Sequence, residues 1–191
     1  MFNNRTESSI LTRENGQTLL ELMVVVTIST IIIGALVFAT ISSLRNTQFS
    51  KDQSQATKLA QEAIEKVRTG RDRGTAITGS FVIGSATIDS WQDPELWSQQ
   101  INGNCGNTSL VPPTYCYFRI STLGDLQYLI AGSDIPSSAE DPLGNGRFKR
   151  VVILSDDSTS YGTQKTVTVI VRWKDFAGDH DSRLTTVLRR L

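Results

Sequence analysis

The chain has 191 residues, and its 19 lysines and arginines balance its 19 aspartates and glutamates, so the formal net charge is zero. This balance argues against functions that rely on a dominant charge, such as general binding to nucleic acid or to anionic lipid. When the apolar N-terminal region is set aside, roughly 150 residues remain, which is the usual size of one domain. We therefore expect a single small globular head.

The first predicted element is a membrane-spanning helix. Residues 22–41, LMVVVTISTIIIGALVFATI, contain no charged side chain. About 20 residues at 1.5 Å each give a helix of about 30 Å, the thickness of a bilayer core. A single carboxylate, Glu21, stands directly before this run. Because a charge inside lipid costs on the order of 2.5 kcal/mol or more, we expect Glu21 to have a partner, and an ordinary interfacial position is the alternative.

Glu21 lies five residues after Gly16 in the sequence GQTLLELMVVVTIST. This arrangement resembles the processing site of type IV prepilins and type II secretion pseudopilins, in which a peptidase cuts after a glycine and the fifth mature residue is Glu. The resemblance implies cleavage between Gly16 and Gln17, methylation of the new amine at Gln17, and a role for Glu21 in filament assembly. Two departures favour a minor over a major pilin: Gln17 replaces the usual apolar residue, and the helix lacks the proline of many major pilins.

The role of Glu21 also has a physical basis. A free α-amino group has a pKa near roughly 8, so a new amine at Gln17 is mostly cationic at neutral pH and attracts an ionised carboxylate. Between neighbouring subunits this pair would set the axial register. An ordinary secretory signal fits less well, because its cleavage site follows the apolar region, whereas the best site here precedes it.

The helix is predicted to continue as an amphipathic segment. Residues 42–69 keep the helical period, and the apolar positions that recur at steps of three and four are Ala56, Ala60, Ala63, Ile64 and Val67. Glu62 and Lys66 have the spacing of an i, i+4 ion pair, and Gly70 is the predicted stop, so the helix should end near Thr69. The sequence KLAQEAIEKVRTGRD also resembles the corresponding region of minor pilin-like proteins.

From Gly74 onward the pattern changes from helical to alternating. Residues 79–107 predict one short strand around 81–83, followed by a loop or short helix that begins near Asp93. Further strands are predicted over residues 115–123, 148–154, 166–174 and 182–191. The sequence DPLGNG at 141–146 is a dense turn signal before the second of these.

The clearest strand, residues 166–174, alternates between apolar and polar side chains. Its apolar face carries Val167, Val169, Val171 and Trp173. We expect this face to pack on the helix, and we expect the loop DFAGDH and the segment 182–191 to complete an antiparallel hairpin. The whole stretch TVTVIVRWKDFAGDHDSRLTTVLRRL resembles the C-terminal part of minor pilins and pseudopilins.

Two cysteines, Cys105 and Cys116, lie in a segment rich in Asn, Gly and Pro. If the head is exported, an oxidising environment favours a disulfide between them. In the chain-entropy model such a bond closes a loop of about ten residues and stabilises it by roughly 2–3 kcal/mol.

The sequence contains no recognisable catalytic or metal-binding pattern. The motifs GxSxG, HExxH and the P-loop are absent, and His180, the only histidine, stands between Asp179 and Asp181, where we interpret it as part of a solvated turn. We predict a protein that is not an enzyme and that has no cofactor and no metal. Oxygen ligands for Ca²⁺ are conceivable in a region that reads more simply as a surface loop: Asp134, Glu140, Asp141 and Asn145.

Two other groups of residues have a structural and a functional interpretation. Trp91 and Trp97 are expected in the core rather than as exposed anchors for a partner. Arg183, Arg189 and Arg190 are interpreted as charges that protect an edge strand, whereas a contact with DNA or with a neighbouring subunit has no supporting motif.

The predicted fold class is α+β: a long N-terminal helix packed on an antiparallel β-sheet head. We predict four segments: a leader at 1–16, a transmembrane or filament-core helix at 17–44, an amphipathic helix at 45–73 and the head at 74–191.

The resemblance implies a structural subunit that sits in the inner membrane, with its head on the extracytoplasmic side, before it joins a filament. Its implied partners are other pilin or pseudopilin subunits, a prepilin peptidase, the inner-membrane assembly platform and membrane lipid. The alternative is an unprocessed, single-pass surface domain for binding or adhesion that never polymerises. The head carries no motif that separates motility, adhesion, DNA uptake and secretion.

Overall fold

The computed structural model describes residues 17–83, 85–101, 115–121, 123–132, 134–135, 137, 140–143, 145–157 and 159–191. The chain forms two compact units, of which the first ends at Gln48 and the second covers Phe49–Leu191. One helix, α1 (Gln17–Arg73), contributes to both units. The confirmed α+β layout is thus a long helix, apolar in its N-terminal part, followed by a mainly antiparallel sheet.

The described elements that follow α1 all belong to the second unit. The first four are β1 (Ile77–Thr78), β2 (Val82–Ile83), β3 (Ala86–Thr87) and α2 (Pro94–Ser98). The remaining strands are β4 (Tyr115–Ile120), β5 (Leu126–Gly132), β6 (Asp141–Leu143), β7 (Phe148–Ser155), β8 (Gln164–Asp175) and β9 (Gly178–Arg189).

The prediction that Gly70 stops the helix was wrong, because α1 continues for one more turn to Arg73. Its true stop is Gly74, which has a φ of 62°. The Gly74 N–H donates to the Arg71 carbonyl at 3.0 Å and the Thr75 N–H to the Gly70 carbonyl at 2.8 Å, the pair of bonds that defines a Schellman cap. Gly70 has a different role: a Cβ there would lie 2.8 Å from the Gly124 carbonyl oxygen, so this position allows close packing of the loop after β4.

The predicted packing of the amphipathic part of α1 on the sheet is confirmed. The buried residues of the helix are Ala56, Ala60, Ala63, Ile64 and Val67. They share one hydrophobic cluster with the inward face of β8, including Val167, Val169, Val171 and Trp173. Glu62 and Lys66 form the predicted ion pair at 2.6 Å. The apolar face of the helix, which has a period of 3.6 residues, and the apolar face of the strand, which has a period of 2, thus pack in one core.

The main sheet has the order β1-β5-β4-β7-β8-β9, with β6 also paired to β7. Every pair is antiparallel except β1 with β5, which is parallel. Because β9 is the last strand in this described order, Arg183 and Arg189 lie on an edge strand, as predicted.

Several details of the head differ from the sequence predictions or extend them. β5 was not predicted, and β6 occupies the first half of DPLGNG, where a turn was expected; it is a short strand that tolerates Pro142. The short strand around 81–83 is one arm of the β2–β3 hairpin. The expected loop DFAGDH is a tight turn, because Asp175 already pairs with Gly178 and leaves only Phe176 and Ala177 between the strands.

The expected helix near Asp93 is confirmed as α2. Asp93 is its N-cap, and its carboxylate accepts a hydrogen bond from the Glu95 N–H at 3.1 Å, with proline in the first turn. Trp91 and Trp97 are both buried, as predicted, and the Trp97 indole N–H donates to the Trp91 carbonyl at 2.9 Å.

Candidate functional site

The candidate site is the N-terminal part of α1, where a continuous apolar surface is exposed. Every side chain from Thr18 to Gln48 is exposed within the chain. The large hydrophobic residues from Leu19 to Phe38 are between 48% and 76% exposed. Contiguous apolar surface of this kind marks a segment that other molecules cover, either lipid or protein. By length and composition this helix can also cross a membrane.

The threonines of this apolar run bond to the backbone of their own helix. Thr27 Oγ1 donates to the Met23 carbonyl at 2.7 Å, and Thr40 Oγ1 donates to the Leu36 carbonyl at 2.8 Å. Thr30 bonds in the same way to the Thr27 carbonyl. A hydroxyl that is satisfied inside its helix is tolerated in an apolar environment. The polar side chains of the run are thus compatible with burial in lipid or between helices.

Glu21 is the only charged residue between Thr18 and Leu44. It is exposed, and within the described part of the chain it forms no ion pair. Glu21 lies about one helical turn, roughly 6 Å of rise, after Gln17, the first residue of α1. Gly16 lies outside the described residues. A carboxylate in this position needs a cation from another molecule or from the N-terminus when the apolar surface is covered.

The comparisons with known proteins bear on this segment. Residues 11–37 match the family model described as the prokaryotic N-terminal methylation motif. This motif is the signature of type IV pilins and pseudopilins, and the layout of helix and sheet is pilin-like. No curated protein and no solved structure matches the chain.

This N-terminal signature supports a type IV pilin-like or pseudopilin precursor. The class is one of structural proteins that are generally not enzymes. The match covers the last six residues of the predicted leader and most of the apolar run, and it leaves the head outside it.

The described residues include only one of the two cysteines of the predicted disulfide. Cys116 lies in β4 and is fully buried. Its predicted partner, Cys105, lies outside the described residues, among which there is no free cysteine. The Cys105–Cys116 disulfide therefore stays a prediction.

The interpretation of His180 as part of a solvated turn was wrong. The His180 ring lies on β9, stacks on the Trp173 ring at 5.4 Å between centroids, and meets the Phe49 ring edge to face at 5.1 Å. Its Nε2 lies 2.9 Å from Asp175 Oδ1. These contacts make His180 a packing residue that joins the hairpin to α1.

Two of the three carboxylates considered as Ca²⁺ ligands, Glu140 and Asp141, are engaged in ion pairs. Glu140 accepts hydrogen bonds from Lys149 at 2.9 Å and from Arg172 at 2.8 Å, and Asp141 lies 3.3 Å from Arg150. Among the residues that the structure describes, no three His, Cys, Asp or Glu side chains are grouped so that they could hold a metal ion.

We expect the β8–β9 turn to loosen in acid. Asp175 Oδ1 accepts hydrogen bonds from the Ala177 N–H at 2.7 Å and the Gly178 N–H at 3.2 Å. Burial raises the pKa of Asp175, but the hydrogen bonds from His180 and the two amides outweigh burial, so this pKa lies below its ordinary value. Such a group stabilises the folded state above its ordinary pKa of about 4, and the contribution is lost as the pH falls through the folded value.

Amide exchange tests this expectation. Protection factors correct for the intrinsic pH dependence of exchange, and those of residues 175–180 should fall more steeply on acidification in the wild type than in Asp175→Asn, which does not titrate there. The same fall in both proteins would contradict the assignment.

Proposed function

We propose that this chain is a structural subunit, a minor pilin or pseudopilin, of a type IV pilus-like filament or of a secretion or DNA-uptake pseudopilus. A prepilin peptidase cleaves it after Gly16 and removes the leader at 1–16, and the new amine at Gln17 is methylated. Residues 17–44 hold the subunit in the inner membrane and later enter the filament core. Residues 45–73 continue the helix and support the head, residues 74–191, on the extracytoplasmic side.

The observation that carries this proposal is the exposed apolar surface of α1 together with the lone carboxylate of Glu21. Lipid covers this surface before assembly, and the helices of neighbouring subunits cover it afterwards. The unprocessed surface domain also explains an exposed apolar helix, but it gives no role to an acid one turn after Gln17. The methylation motif at 11–37 favours the subunit over this alternative.

The partners that follow are other pilin or pseudopilin subunits, the prepilin peptidase, the inner-membrane assembly platform and membrane lipid. Helix α1 contains no proline, and Gln17 stands at the new N-terminus, which favours a rare subunit over an abundant shaft subunit. The described head carries no feature that selects one machine among pili and pseudopili.

The new N-terminus is the direct test of processing. Intact-mass and N-terminal peptide analysis of the protein purified from its native cells should give a chain that starts at Gln17, with one methyl group on its amine. Deletion of the prepilin peptidase should leave residues 1–16 attached. A chain that retains its leader in cells with an active peptidase would support the unprocessed surface domain instead.

A further inference from the structure

The second unit contains a pocket whose charge is unusual for a neutral chain. Its volume is about 400 Å³, and it lies between the end of β8, the start of β9 and the start of β7. Four cationic side chains line it: Arg147, Lys149, Arg172 and Lys174. Among the described residues, two acids, Glu140 and Asp179, line it with them. We call this site the cationic pocket.

Buried acids hold three of the cations in place. The Glu140 side chain is only 6% exposed and pairs with both Lys149 and Arg172, which are 49% and 43% exposed. The Asp52 side chain is only 1% exposed and pairs with Arg147, which is 45% exposed. The negative charges thus lie beneath the surface and the positive charges face outward. Such an arrangement orients these three cations toward an external ligand.

Lys174 is the fourth cation of the cationic pocket. It is exposed and forms no ion pair with any described residue; the acid across the strand pair is Asp179, which is also exposed. Because the Lys174 amine forms no ion pair among the described residues, it is available to an external anion. Arginine and lysine together suit the oxygens of a phosphate group.

Aromatic side chains next to the pocket favour the phosphate of a lipid over a soluble phosphate as its ligand. Trp173 lines the pocket, and its ring lies 6.4 Å from the ring of Phe49, which is 40% exposed. Phe176, at the tip of the β8–β9 turn, is 62% exposed. Phe49 follows Leu44, the last exposed large hydrophobic residue before it, by only five positions. Exposed aromatic rings beside cations are typical of surfaces that rest on a bilayer interface.

We propose that the cationic pocket binds the phosphate headgroup of an anionic phospholipid while the chain is anchored in the membrane. Phe176 and Phe49 meet the boundary of the acyl chains beside the bound headgroup. The proposal rests on anchoring by residues 17–44, and it requires neither cleavage after Gly16 nor assembly into a filament. The lipid contact and the processing reaction can therefore fail separately.

Lysine acylation of the full chain tests the proposal. The protein is reconstituted in nanodiscs of phosphatidylcholine, with or without phosphatidylglycerol, and the rate at each lysine is followed by mass spectrometry. We expect acylation of Lys149 and Lys174 to slow about 5-fold in the anionic discs, the effect of one cation at an anionic surface. Lys51 controls for the general surface potential near the anchor, and Lys58, which is exposed and outside the pocket, is the second control.

A matched pair of variants links the protection to the pocket. Lys174→Glu should abolish the protection of Lys149, whereas Lys58→Glu, the same change in charge outside the pocket, should leave it intact. Equal slowing at Lys51, Lys58 and Lys149 would overturn the proposal, and so would no slowing at all. Protection in neutral discs by inorganic phosphate at millimolar concentration would assign the pocket to a soluble anion and overturn the lipid assignment.

Discussion

The Lys165→Met variant should lose about 3–5 kcal/mol of the free energy of unfolding of the second unit, the usual cost of leaving one half of a buried ion pair uncompensated. The Lys165 and Asp156 side chains are both 0% exposed, and their Nζ and Oδ2 atoms are 2.7 Å apart. Burial lowers the pKa of Lys165, and the Asp156 carboxylate opposes this shift. Methionine fills the space of the lysine but leaves the carboxylate buried without its cation.

The pair also joins three parts of the fold. Asp156 Oδ2 accepts a second hydrogen bond from the Ile101 N–H at 2.8 Å, and Lys165 Nζ donates to the Gln99 carbonyl at 3.3 Å. These bonds tie the segment after α2 to the ends of β7 and β8. Loss of the lysine should therefore loosen this segment as well as lower the global stability.

Denaturant titration of the full chain in detergent, followed by tryptophan fluorescence, measures the loss. Lys149→Met is the matched control: it breaks an ion pair of a half-exposed lysine and should cost no more than about 1 kcal/mol. Asp156→Asn combined with Lys165→Met should recover most of the loss, because the amide oxygen still accepts from Ile101 while the buried charge is gone. If Lys165→Met and Lys149→Met lowered the free energy of unfolding equally, the buried pair would contribute no more to stability than the half-exposed one.

Lys165 illustrates where sequence patterns fail. The alternation of β8 places Lys165 on the same face as Val167 and Val169, yet a lysine is ordinarily assigned to solvent, and the predicted strand began at Thr166. Its partner Asp156 is nine positions away, directly after the end of β7. The alternation of inward and outward side chains along β8 was the available signal that Lys165 is buried. Only the tertiary fold, however, supplies the acid that makes burial of this lysine tolerable.

Local signals, by contrast, were sufficient where the interaction is local. The apolar period around Ala60 and Val67, the alternation of β8 and the start of a short helix near Asp93 each depend on neighbouring residues, and each agrees with the structure. Gly70 was misread because its role depends on Gly124, which is distant in sequence. The contacts of His180 were missed for the same reason, since Phe49 approaches it from α1.

For the candidate site, the sequence was more informative than the structure of a single subunit. Gly16, Gln17 and Glu21 were assigned from a motif that a single sequence reveals, and the family model matches this region. The structure adds the exposure of the apolar surface and shows that Glu21 forms no ion pair with any described residue. What Glu21 binds cannot be read from one subunit, because the proposed amine belongs to the Gln17 of a neighbouring chain.

Glu21→Val should therefore leave membrane insertion and the folded head intact but reduce incorporation into filaments by about tenfold or more. Two unit charges 4 Å apart attract by about 4 kcal/mol at an effective dielectric constant of 20, and burial of the carboxylate offsets part of this attraction. A net loss of about 1.4 kcal/mol already corresponds to a factor of ten. Valine adds no charge and lengthens the apolar run, so anchoring in the membrane should be unchanged.

Quantitative immunoblots of sheared filaments and of membranes measure the distribution of the subunit. Glu21→Gln, which keeps the size of the side chain and removes its charge, should behave like Glu21→Val if the charge sets the register. Glu65→Val removes a carboxylate from the exposed face of the same helix, where Glu65 pairs only with Arg68 at 2.9 Å, and should assemble normally. Normal incorporation of Glu21→Val would remove the physical basis for register by charge pairing. A defect of equal size in Glu65→Val would trace the effect to the helix in general rather than to the Glu21 carboxylate.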